Sequence, residues 1–159
     1  IVMHEAEREN ISRLMERVMV ERNIRVITQQ DDYSHLFKIR EALERKEFVV
    51  LHGDRYLPGA STVNLPFMGH RASFPSGPLY LASKEGVPVS FVFSLKEGST
   101  HYHFYATRGR KFPYPARPRT RRDDLEQMVS TYVEALEGML KQYPLQWFNY
   151  YSFWDEEKR

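Results

Sequence analysis

Phe48-Val49-Val50-Leu51, followed at once by His52-Gly53-Asp54-Arg55, is the stretch on which the fold turns. Four apolar residues in a row, bounded by charge and glycine, have the length of a strand and no alternation. Such a run after a helix predicts a strand covered on both faces, as in a parallel sheet. Upstream, Asp31-Asp32 opens a helix running to about Lys46, with Leu36, Ile39 and Leu43 on its inner face. Before it, Ile24-Arg25-Val26-Ile27 reads as a short strand and Asn23 as a stop. Glu5 to about Glu21 reads as another helix, because Ile11, Leu14, Met15 and Val18 make one apolar stripe. Ile1-Val2-Met3 reads as the end of a buried strand. Strand, helix, strand, helix, strand predicts an α/β fold: a central, mostly parallel sheet with helices on both faces.

In such sheets ligands bind outside the carboxyl ends of the strands, where His52-Gly53-Asp54-Arg55 falls. Arg55 has the planar fork that suits a phosphate, with Asp54 to orient it. The alternative is an Asp–Arg pair that ties down a loop. Downstream, Tyr56 to Ser73 reads as loop with Thr62-Val63-Asn64-Leu65 as an edge strand. Phe67-Met68-Gly69 either lines a pocket or closes the core. Phe74-Pro75-Ser76-Gly77-Pro78-Leu79-Tyr80-Leu81-Ala82 is a preset turn leading into a helix that ends near Gly86. Ser76 is a possible N-cap, and Pro78 sits near the first helical position. The free N–H groups of the Ser76-Gly77 end suit an anion; the alternative is a turn that only caps its helix.

Val87 to Phe93 and His101 to Tyr105 read as two strands joined by a turn at Glu97-Gly98, an antiparallel pair within residues 87–105. Arg108 to Arg122 is basic and broken by prolines; it suits a solvated loop, anionic lipid headgroups or nucleic acid. Its shortness and the acidic residues that follow argue against nucleic acid. Asp123-Asp124 starts a long helix with Leu125, Met128, Val129, Tyr132, Leu136, Met139 and Leu140 on one face, ended by Pro144. The aromatic run from Trp147 to Trp154 suits core packing or a bilayer interface.

The 159 residues fit one domain, 42% hydrophobic and 28% charged, with a net charge of only +2. No cysteine is present, so disulfides and thiolate-held metals are excluded. No apolar run approaches the ~20 residues of a membrane span. The start at Ile1-Val2-Met3 is the kind expected of a piece of a longer protein, entered inside a strand.

Several stretches, in order, resemble the lysophospholipid acyltransferase superfamily, above all its bacterial lipid A biosynthesis (lauroyl/myristoyl) branch. Asp54-Arg55 after an apolar strand is similar to the branch's DR/DQ segment. Val63 through Phe67-Met68-Gly69 resembles its v-x-FFG segment. Phe74 to Pro78, with Leu81-Ala82 and Gly86-Val87-Pro88-Val89, resembles its P-x-GP block. Tyr143-Pro144-Leu145-Gln146-Trp147 resembles its P-x-QW signature. The resemblance implies transfer of a fatty acyl chain from acyl-CoA or acyl-carrier protein to a hydroxyl of a lipid acceptor. A histidine would act as general base, with a carboxylate five positions later to orient it. His4 and Glu9 have that spacing. Between them stands Glu5-Ala6-Glu7-Arg8, where the family carries Gly or Asn-Trp, so the alternative places the dyad upstream of Ile1. Ser76 stands where phosphate-acceptor relatives carry glutamate. Asp54, Arg55, Ser76 and Gly77 are the expected substrate-binding residues, with no metal and no cofactor. The expected setting is cytoplasmic, peripheral at the inner face of a membrane. The competing reading is a non-catalytic lipid- or acyl-carrier-binding module of the same fold.

Overall fold

Where helical spacing is unbroken the sequence makes helix, and where it alternates the chain makes short paired strands. A computed structural model describes residues 1–4, 21–29 and 33–154. The chain divides into two units, Ile1–His52 and Gly53–Arg159.

In the first unit, β1 (Val2–His4) and β2 (Ile27–Gln29) pair in parallel, Val2 opposite Ile27 and His4 opposite Gln29. The strand expected at Ile24–Ile27 thus begins at its last residue. α1 (Ser34–Glu44) is entered through Tyr33 in the left-handed region, φ 57°. It buries His35, Ile39 and Ala42, one step round from the expected face, and leaves Leu36 exposed. The helix expected from Glu5 lies outside the described residues, apart from Glu21.

Phe48 to Leu51 is a correction. It forms no ladder strand: the Val50 carbonyl accepts one hydrogen bond from the Val2 N–H at 2.9 Å. Phe48 is 98% and Val50 56% exposed, so the run is not covered on both faces. Among the described residues there is accordingly no central parallel sheet. There are three separate two-stranded pairs, of which only β1–β2 is parallel. A continuous apolar run signals burial only if something is there to cover it.

The second unit is built on a hairpin. β3 (Thr62–Phe67) and β4 (His70–Pro75) are antiparallel, with Phe67 opposite His70. The two residues between them, Met68 and Gly69, have φ of 51° and 87°. Two successive positive φ values are those of a type I′ turn, whose twist matches its strands. The Met68 N–H is held by the Glu137 carboxylate at 3.2 Å. β4 falls largely in a stretch expected to be loop; its buried residues are only Ala72, Phe74 and Pro75. α2 (Gly77–Glu85) matches expectation, with Pro78 in its first turn and Gly86 left-handed at its end. β5 (Val92–Lys96) and β6 (Tyr102–Ala106) form the expected antiparallel pair, prolonged by a bridge between Val89 and Arg110.

α3 (Arg121–Gln142) has Asp123 and Asp124 in its first turn, where carboxylates complement the helix dipole. Its buried stripe of Met128, Val129, Val133, Leu136 and Leu140 packs on β3. With Val63, Phe67, Phe74, Leu79, Phe112 and Phe153 it makes one core.

Candidate functional site

The second unit opens with Gly53-Asp54-Arg55, and aromatic residues from far along the chain fix that turn. Tyr132, on the inner side of α3, lays its ring against Gly53. A Cβ on Gly53 would stand 2.6 Å from the ring, so only glycine fits without displacing it. The next residue, Asp54, accepts a hydrogen bond from the Trp147 indole Nε1–H at 3.0 Å. The Asp54 backbone carbonyl accepts another from the Tyr151 hydroxyl at 3.1 Å. The tail therefore closes over the turn at both its side chain and its backbone.

The electrostatics follow from this packing. Burial pushes the Tyr132 hydroxyl far above the ordinary tyrosine range, and the Asp54 carboxylate adds to it. Burial also raises Tyr151, with Asp54 in the same sense and Arg55 opposing. Asp54 thus lies among two phenols and an indole. Arg55, next along, is exposed.

Trp147 is held on its other side by the core. Its ring meets Phe67 edge-on at 5.5 Å and Phe153 at 4.8 Å. Phe67 is 1% exposed, so of the two roles expected for Phe67-Met68-Gly69 it fills the core one. Gln146 clamps the end of β5: its Nε2 donates to the Lys96 carbonyl at 2.7 Å, and its Oε1 accepts from the Lys96 N–H at 3.1 Å. Trp154 donates its indole N–H to the Phe67 carbonyl at 3.1 Å and bridges to Ala72.

The remaining expected residues fall as follows. Ser76 is buried, and its hydroxyl is engaged with the Ser61 carbonyl at 3.1 Å and the Ser61 hydroxyl at 3.2 Å. Ser76 occupies the N-cap position of α2 as expected, but its side chain makes no cap hydrogen bond to the helix. Ser61 satisfies it instead: the Ser76 N–H also bonds the Ser61 carbonyl. Gly77 opens α2 with open space around it. His4 is the last residue of β1, in the first unit. Glu9 lies outside the described residues. Among the described residues, no group of three His, Asp or Glu is placed to hold a metal ion, and no helix is long and apolar enough to cross a membrane.

Asp54 was legible from its place after an apolar run. Its partners were not: Gly53, Tyr132 and Tyr151 carry no signal of their own, and Trp147 had one only as part of Pro144-Leu145-Gln146-Trp147. Two of the sequence blocks that resembled one family, 93 residues apart, meet in one hydrogen bond.

A mixed helix-and-strand unit whose Asp-Arg turn is closed by a Gln-Trp tail is the class these contacts define. The chain belongs to the bacterial lipid A biosynthesis acyltransferase family, whose model matches residues 1–154. No curated protein matches it.

Proposed function

We propose that this chain takes part in moving a fatty acyl chain from a carrier thioester, acyl-CoA or acyl-carrier protein, to a hydroxyl of a lipid acceptor of the lipid A type. The observation that carries the reading is the family match over residues 1–154, supported by the meeting of its Asp-Arg and Gln-Trp segments at Asp54 and Trp147. In the proposed step a general base takes the acceptor's hydroxyl proton. The oxygen attacks the thioester carbonyl, an ester C–O bond forms and the C–S bond breaks. The thiolate leaves and takes up the proton. The spacing of His4 and Glu9 suits a base and its orienting carboxylate; a histidine preceding Ile1 is the other assignment. Arg55 and the Gly77 end of α2 are assigned to phosphate of the donor or acceptor. Asp54 acts through the turn it holds, and Ser76 supports the start of α2. The reaction is placed at the cytoplasmic face of a membrane, with the chain bound peripherally.

The test is transfer of a labelled acyl chain from each donor to a lipid A precursor by the full chain. Arg55→Lys is expected to raise KM for phosphate-bearing substrate at least as much as it changes kcat, because a point charge replaces a fork. Loss of turnover in folded His4→Ala assigns the base to His4; undiminished turnover moves it elsewhere. No transfer from either donor would overturn the proposal for this chain and leave a lipid- or carrier-binding module.

A further inference from the structure

Charge is segregated along this chain. Residues 87–122 hold eight of its 23 Lys and Arg and one of its 21 Asp and Glu, a formal +7 within a net +2, leaving −5 elsewhere. That segment is the β5–β6 ribbon, the loop that follows it and the first two residues of α3, Arg121 and Arg122. Elsewhere, Arg25, Arg40 and Arg45 face carboxylates, as does Lys141. Arg108, Lys111, Arg117 and Arg119 are exposed and face none among the described residues. The single carboxylate of the ribbon, Glu97, sits at its turn beside His101 Nε2 (3.6 Å) and His103 Nδ1 (3.4 Å).

The same ribbon has an apolar outer face. The register sets Val92 opposite Ala106, Ser94 opposite Phe104 and Lys96 opposite Tyr102. Alternation puts these six on one side, away from Phe93 and Leu95. Val92 is 59%, Tyr102 51% and Phe104 66% exposed, while Leu95 is buried. The arrangement is regular secondary structure, not a loose tail, and Gln146 pins its Lys96 end.

We propose that the outer face of the β5–β6 ribbon, with the basic loop beside it, is the surface by which this chain lies on an anionic lipid bilayer. It rests on the reading of the chain as part of an enzyme that meets a lipid acceptor at a membrane. Phe104, Tyr102 and Val92 enter the headgroup boundary, where aromatic rings with one wet end are favoured. Lys96, Arg108, Lys111, Arg117 and Arg119 stand over anionic headgroups. The same cations suit nucleic acid, but the aliphatic Val92 and Ala106 beside Phe104 favour acyl chains.

The test is co-sedimentation of the full chain with vesicles of phosphatidylcholine alone and with phosphatidylglycerol added. Binding is expected only with phosphatidylglycerol and is expected to fall as salt rises. Tyr102→Ser with Phe104→Ser is expected to weaken partition roughly tenfold. Phe37→Ser, an equally exposed ring on α1, is expected to leave it unchanged. Tryptophan fluorescence of each variant checks that the tail is still docked. Unchanged binding by the ribbon variant overturns the proposal, as does loss in Phe37→Ser instead. A concentration-dependent dimer that the ribbon variant abolishes assigns the face to a second copy and overturns it too. So does tighter binding to a DNA or RNA oligonucleotide than to the anionic vesicles. Acyl transfer to a detergent-dispersed acceptor separates the two readings. If the ribbon variant keeps it while losing vesicles, both stand. If the unaltered chain binds vesicles but transfers nothing, the surface stands and the enzyme falls.

Discussion

Two regions of the second unit are equally rich in aromatic rings and use them in opposite ways. Around Phe67 the rings of Phe74, Trp147 and Phe153 lie 5.3–5.6 Å away, edge-on or tilted, and shut out water. On β6, Tyr102 and Phe104 point outward, while His103 stacks on Tyr105 at 4.4 Å on the other face. Both regions are aromatic; the partners differ. A ring stabilises the fold when other rings and a bonded indole N–H complete its surroundings, and is free for another use when alternation turns it outward.

The comparison is broken most forcefully by truncation. Phe67→Ala is expected to lower unfolding free energy by about 3–5 kcal/mol, because a nearly inaccessible ring is replaced by a cavity. Phe104→Ala is expected to stay within about 0.5 kcal/mol, as for other exposed positions. Urea denaturation of both variants decides; similar losses would mean that the two regions are not different after all.

A smaller effect sharpens what the indole N–H does. Trp147→Phe keeps a ring against Phe67 but removes the donor to Asp54, and is expected to cost about 1–3 kcal/mol. A double-mutant cycle with Asp54→Ala is expected to show that the two losses do not add. Simple additivity would reduce the 3.0 Å contact to a by-product of packing.

The smallest effect is a pH dependence. Burial holds the Tyr132 hydroxyl protonated well beyond the ordinary tyrosine value of 10.0. Below about pH 10 both folded and unfolded chains keep this proton and nothing is lost. Above it the unfolded chain sheds the proton first, so stability falls as pH rises, by at most about 1.4 kcal/mol per pH unit. Tyr132→Phe is expected to flatten this alkaline loss in denaturation midpoints measured across pH 9 to 11. An unaltered slope in Tyr132→Phe would show that its hydroxyl is not withdrawn from water.

The legible parts of the fold are those whose signals are local. Pro78 and Gly86 bracket α2, and the stripe from Met128 to Leu140 marks the buried face of α3, so both helices follow from spacing. The turn at Glu97-Gly98 likewise gave the β5–β6 pair. β4 was hidden because His70-Arg71-Ala72-Ser73 looks polar, and because the I′ turn before it carries Met68 where asparagine would have announced it. Phe48 to Leu51 misled for the opposite reason: its apolarity is real, but among the described residues it makes one backbone hydrogen bond to Val2 and stays largely exposed. At the candidate site, position singled out Asp54 and Arg55. Nothing local in Trp147 or Tyr132 says which turn each will meet, since that is decided by how α3 packs on β3.

Both tryptophans of the chain lie in the tail, and each has its N–H bonded to the body of the second unit, Trp147 to Asp54 and Trp154 to Phe67. Intrinsic fluorescence of this protein is therefore a gauge of one event, the docking of residues 146–154. Because the Asp54–Trp147 contact closes a loop of most of the unit, it forms only after the chain between has collapsed. In a refolding experiment the emission shift should lag the recovery of helix, and in native chain a quencher should report how often the latch lifts.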